Sequence, residues 1–302
     1  MNNELNYYKL PGQLTDLSVY AETIKKITDN PEYICQIVQG LIVHGAWVKQ
    51  YGFEYNDENE CYHLLNMSDL LRKILEFDSR SLTIARLPEN RLIACCREFA
   101  TLACAIMRTK GIPARSRCGF AVYLGWKGSL EDHWIVEYWN GDRWVMNDPQ
   151  VDPFQLSQLM GWGYNKLSIQ SELSVPNPHD LTDNDFIIAG KAWQMCRNGI
   201  ISPDICGIAD LKGLWFVRGQ LLRDFAALNK IETVPHLCRT ERGLDWSLWK
   251  LLNKKDDEIT SKDLELLDNI AALTLNVKDN LSIINEYYLS NSALQVPQAY
   301  IE

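Results

Sequence analysis

Residues able to supply a nucleophile, a base and an acid to orient that base fall between Arg91 and Pro149. Asp132-His133-Trp134-Ile135-Val136-Glu137-Tyr138-Trp139 and Asp142-Arg143-Trp144-Val145-Met146-Asn147-Asp148 are aromatic and β-branched runs separated by Asn140-Gly141, a strong hairpin signal. They read as two antiparallel strands. With Asn140 and Gly141 as the two loop residues, Trp139 lies opposite Asp142, and counting outwards from that pair His133 lies opposite Asp148. Directly opposed residues share a face with Cβ atoms about 4.5–5.5 Å apart, so the carboxylate can reach the imidazole and fix its tautomer. A bulge would shift the register by one residue and separate them.

The element that must bring a nucleophile to this pair lies just upstream. Phe99, Leu102, Ala103, Ile106 and Met107 recur at helical spacing, Arg108 and Lys110 occupy the last turn, and Gly111 and Pro113 stop the helix. Cys95 and Cys96 therefore open a buried helix. The free N–H groups and positive dipole end there favour a thiolate, and the same N–H groups can hold an oxyanion. Packing as small buried hydrophobes is the other role open to both cysteines. Helical geometry does not choose between them, since Cys96 aligns with Phe99 and Ala103 while Cys95 aligns with Phe99, Leu102 and Ile106.

Cys96-Arg97-Glu98-Phe99-Ala100, Gly111-Ile112-Pro113-Ala114-Arg115, His133-Trp134-Ile135-Val136-Glu137 and Trp144-Val145-Met146-Asn147-Asp148-Pro149 occur in that order. Over roughly residues 90 to 155 the chain resembles the transglutaminase-like superfamily of papain-type cysteine enzymes. The resemblance implies that Cys96 is the nucleophile, His133 the base and Asp148 its orienter. It also implies an α+β fold, with the nucleophile helix packed on an antiparallel sheet and further helices at both ends. The chain departs from the family pattern at Ala94, where a glycine often stands two residues before the nucleophile. The implied chemistry is attack by Cys96 on an amide carbonyl to give an acyl-enzyme. Water resolves it as a protease or amidase would; an amine resolves it as transglutamination. The expected partners are a peptide, protein or small amide substrate, with no cofactor and no metal. Two competing expectations are a catalytically inactive binding module, suggested by Ala94, and a metal site built from Cys95, Cys96 and His133.

At 302 residues and 46% hydrophobic, the chain is long enough for a substantial core. One compact unit is expected, with a catalytic core at about 85–155, a helical N-terminal part at 1–84 and a mostly helical C-terminal part at 156–302. Lysine and arginine total 30 against 39 acidic residues, a net charge of −9, which argues against a broad phosphate-binding surface and so against nucleic acid. No long apolar run suggests a membrane span, and the first residues lack the order of a signal peptide, so a cytoplasmic location is expected. Nine cysteines without a C-x-x-C pair read as reduced thiols, and Cys61 with His63 is too few ligands for structural zinc.

Along the chain, Asn30 and Pro31 start a helix bearing Ile34, Ile37, Val38, Leu41 and Ile42, expected to reach Trp47. A second starts near Ser68, and Asp78 to Asn90 is a loop. His44 and His63 are read as structural histidines; Trp47 and Asn90 are candidates by type for a second oxyanion donor. Ala114 to Leu124 is a strand with Cys118 and Phe120 on one face, giving three strands in all. Gly161 to Tyr164 is an aromatic loop, and Pro176, Pro178 and His179 make an irregular stretch. Helices are expected at Phe186–Asn198, at Leu211–Asn229 and after a cap at Thr260 or Ser261. Asp204, Asp210, Arg218 and Arg223 are assigned solvated or structural roles.

Overall fold

The computed structural model describes residues 3–125, 128–162, 176–233 and 248–301. Two short helices come first, α1 (Asn3–Lys9) and α2 (Ala21–Ile24). Asn30 then caps α3 (Pro31–Leu41): its side chain accepts from the Tyr33 N–H, and Pro31 takes the first helical position, where no intrahelical bond is lost. This helix does not continue to Trp47. It stops at Leu41, and Ile42 begins strand β1 (Ile42–His44), followed by a 3-10 turn at Gly45–Trp47. The cause is tertiary, because β1 pairs in parallel with β2 (Leu92–Ala94), Ile42 beside Leu92 and His44 beside Ala94. Ladder bonds and burial of the β-branched Ile42 and Val43 outweigh further helical turns. Helix α4 (Met67–Phe77) starts as expected, with the Asn66 side chain accepting from the Ser68 N–H.

Helix α5 (Cys96–Thr109) is the helix opened by the two adjacent cysteines, and every residue from Cys96 to Arg108 is buried. Cys95 is its N-cap, and the chain leaves it through Gly111 at φ +77°, a left-handed conformation that glycine adopts without a Cβ penalty.

The sheet is larger than the three strands expected. β3 (Ala114–Ala121) pairs antiparallel with β4 (Leu130–Trp139), and β5 (Trp144–Asn147) pairs with the far end of β4. After helix α6 (Pro153–Trp162), three further strands join: β6 (Phe186–Ile188) on β3, β7 (Cys206–Ile208) on the start of β4, and β8 (Leu211–Lys212) on β7. The first residues of the two expected helices are thus strand, leaving α7 (Ala189–Arg197) and α8 (Leu214–Leu228) to start later. Of the aromatic loop, Gly161 and Trp162 belong to α6, while Gly163 and Tyr164 lie outside the described residues. Helices α9 (Lys250–Asn253), α10 (Ser261–Leu275) and α11 (Val277–Ser290) complete the chain, with Thr260 capping α10 as expected. No helix among the described residues is long and apolar enough to cross a membrane.

The hairpin register differs from the sequence expectation. Trp139 pairs with Trp144 and Val136 with Asn147, so the turn spans four residues, Asn140 to Arg143. The Asn140 side chain accepts from the N–H groups of Asp142 and Arg143, both at 2.9 Å, which draws those two residues into the turn. The shift is even, so no side chain changes face. Continuing the ladder one step past Asn147 sets Asp148 across from Ile135 and diagonal to His133 on the same face.

Helices α5 and α8 cover the face of the sheet that carries Phe120, Trp134, Val136 and Tyr138. The other face carries Ala121, Tyr123, Ile135 and Phe186, packed with Trp47, Val151 and Leu159. Among the described residues, between the β5 pairing, which ends at Val136, and the β7 pairing, which ends at Glu131, β4 has a strand partner only on the β3 side. His133 sits in this window.

Candidate active site

His133 Nε2 lies 2.8 Å from Asp148 Oδ2, and both residues are buried. That oxygen also accepts from the Tyr123 hydroxyl at 2.6 Å, while Oδ1 accepts from the backbone N–H of Gln150 at 2.8 Å and of Val151 at 3.4 Å. Burial alone would raise the Asp148 pKa; the imidazole, the phenol and the amide outweigh it and hold the carboxyl below its ordinary value. Asp148 is therefore a carboxylate. With Nε2 committed to it, His133 Nδ1 is the nitrogen left to exchange a proton with a nucleophile.

Two of the three expected site residues, His133 and Asp148, are joined directly, and the third stands at the start of the helix packed on β4. Cys96 takes the first position of α5 and packs in one buried cluster with Ala100, Cys118, Trp134 and Ala227. Among the described residues no hydrogen bond links its thiol to His133. Ionisation of Cys96 would act on Tyr123, the phenol bonded to Asp148.

The thiol does not have the low pKa that the helix N-terminus led us to expect. A hydrogen bond with the Cys95 side chain pushes it well above its ordinary value, and burial, Cys95 itself, Asp132 and Glu98 push the same way. The local sequence explains this. Glu98 is the third residue of α5 and folds back so that its Oε2 accepts from both the N–H and the thiol of Cys95, each at 2.9 Å. The positive helix end is thereby spent on an internal carboxyl. Asp132, on the face of β4 toward α5 and α8, accepts from the Gln220 side-chain amide, and burial pushes its pKa up to about 7. Gln220 Oε1 in turn accepts from the Cys118 thiol at 3.0 Å. Helix α8 thus supports the floor beneath Cys96.

Tyr123 and Asp132 carried no motif that would have marked them. Tyr123 lies two residues past β3, and Asp132 reads as one more polar residue in an alternating strand. Of the two oxyanion candidates, Trp47 belongs to the buried cluster that contains Tyr123, Val151 and Phe186, whereas Asn90 is exposed at the end of a 3-10 turn, Pro88–Asn90, outside this cluster. Arg218 pairs with Asp256 at 2.9 Å, whereas Arg223 reaches Gln220 at 3.4 Å and counters the upward push of burial on Asp132. Among the described residues no group of three or more histidine, cysteine or acidic side chains is arranged to hold a metal.

A family model of the transglutaminase-like superfamily matches residues 67–149. The matched segment runs from the start of α4 to the residue after Asp148 and contains Cys96, His133 and Asp148. The fold is α+β, and its segment from α4 to Pro149 is similar to the transglutaminase-like superfamily. No curated protein matches the chain. A solved structure from Cytophaga hutchinsonii, provisionally described as a cysteine protease, is similar over 49% of this chain and 43% of its own, at 15% identity and a TM-score of 0.33. The chain therefore spans less than half of that structure's length.

Proposed function

We propose that the protein cleaves amide bonds through an acyl-enzyme on Cys96, with His133 as base and Asp148 as its orienter. The observation that carries this reading is the buried 2.8 Å pair of His133 and Asp148, set in the gap of the sheet beside the helix that opens with Cys96. Because the resting thiol is protonated, its proton must leave as it attacks. Cys96 Sγ bonds to the carbonyl carbon, the carbonyl π pair moves onto oxygen, and the thiol proton passes to His133 Nδ1. The Cys96 N–H at the helix start helps hold the oxyanion. On collapse the C–N bond breaks and the amine leaves with the proton from His133, while the Asp148 carboxylate stabilises the imidazolium in between. Water then releases an acid, regenerating the thiol; an amine in its place would give a new amide.

A second reading, an inactive binding module, is favoured by one observation, the thiol's bond to Cys95 rather than to His133. Turnover of a fluorogenic peptide-amide library by the wild type, Cys96→Ser and His133→Ala separates the two. The enzyme reading requires cleavage that both substitutions abolish. Cleavage by none of the three proteins, with intact folding, supports the binding module. Adding a large excess of a primary amine and weighing the products distinguishes acid from new amide.

A further inference from the structure

Resting on that reading, we propose that His44 is a catalytic residue: its Nε2–H is the second donor to the oxyanion formed when Cys96 attacks. Sequence periodicity placed His44 inside a helix, away from any chemistry. The structure instead puts it at the end of β1, paired across the parallel ladder with Ala94, two residues before Cys96. Its ring is fixed from one side, where Nδ1 accepts from the Ala46 N–H at 3.2 Å and caps the turn Gly45–Trp47. A ring that accepts at Nδ1 carries its proton on Nε2 when neutral. Among the described residues Nε2 has no hydrogen-bond partner of its own.

The ladder with Ala94 brings His44 beside the start of α5, and three groups from three different elements act on its ring. Its proton affinity responds, after burial, to Cys95, to His133 and to Asp148. Burial dominates and pulls the pKa down to about 4, so the ring is neutral at neutral pH. A neutral imidazole is suited to this task, because it polarises a carbonyl without competing for the proton that His133 must take. The Cys96 N–H supplies one donor from the helix start, and His44 supplies the other from the strand alongside. During attack no bond to His44 forms or breaks; its N–H···O contact strengthens as the carbonyl oxygen gains the electron pair.

The test compares two reactions of Cys96, acylation by p-nitrophenyl acetate, which passes through an oxyanion, and alkylation by iodoacetamide, which does not. Removing one oxyanion donor lowers rates by about 10²–10³. Acylation in His44→Ala is expected to fall by about 10² and to recover in part in His44→Gln, whose amide can donate, with alkylation unchanged in both. The proposal is overturned if His44→Ala acylates at the wild-type rate, or if alkylation falls in parallel with acylation, which marks a structural role. Failure of the wild type itself to acylate Cys96 overturns the enzyme reading and this inference with it.

Discussion

Asp148 accepts four hydrogen bonds while fully buried, and its ionisation ties the site to stability. A carboxyl whose folded pKa is held below the unfolded value near 3.9 contributes stability above that value and loses it as pH falls through the folded pKa. Tyr123→Phe removes one donor and lets the folded pKa rise. The midpoint of acid unfolding should move to higher pH, and stability at neutral pH should drop by about 1–3 kcal/mol in urea titrations. An unmoved acid midpoint would show that the phenol does not hold the carboxylate. Asp132 acts on the thiol with a different pH signature. Its pKa of about 7 means that it gains charge as pH rises through neutrality, and that charge opposes ionisation of Cys96. Asp132→Asn should therefore speed iodoacetamide alkylation of Cys96 severalfold at pH 8 and change it little at pH 6. Equal acceleration at both pH values would refute the assignment.

At the scale of elements, what the sequence showed depended on length. Helices α4, α5 and α10 have caps and several turns of periodicity, and the structure places them where the spacing did. Strands β1, β6 and β8 have three residues or fewer, and a three-residue apolar run carries no period by which to tell a strand from a helix end. The hairpin was legible but its turn was not, because Asn140 captures two N–H groups and lengthens the loop. An even slip preserved the face, so His133 and Asp148 still met; an odd slip would have parted them. His44 was missed for the first reason, Tyr123 because nothing local marks it. Gly119 shows how tightly the sheet is built beside the site. It pairs with His133 on one side and Ile188 on the other, and a Cβ there would lie 2.3 Å from the Ile187 carbonyl oxygen. Gly119→Ala should cost about 1–3 kcal/mol in thermal or urea unfolding by pushing β6 off the sheet edge. A wild-type melting curve would contradict that close approach.

At the scale of the molecule, the C-terminal part is woven into the sheet that carries His133. Arg117 on β3 donates to Asp224 of α8 at 2.9 and 2.8 Å and to Glu137 of β4 at 3.1 Å, and Asp224 also accepts from the Cys118 N–H. Removing one partner of such a buried pair leaves a charge without compensation and costs about 3–5 kcal/mol, so Asp224→Ala should lower the melting temperature sharply. We propose that the whole chain is one cooperative unit. A fragment of residues 85–155 would lack β6, β7 and α8 and should not fold, as circular dichroism would show; a folded fragment would contradict the proposal. The most direct test of the site is peptide mass spectrometry after brief exposure to p-nitrophenyl acetate at neutral pH, in the wild type, Cys96→Ala, His133→Ala and Asp148→Asn. The expected result is one acetyl thioester on Cys96, absent in Cys96→Ala and strongly slowed in the other two. Acetylation of Cys95 instead, or a rate at Cys96 indifferent to His133, would contradict a nucleophile activated by the His133–Asp148 pair.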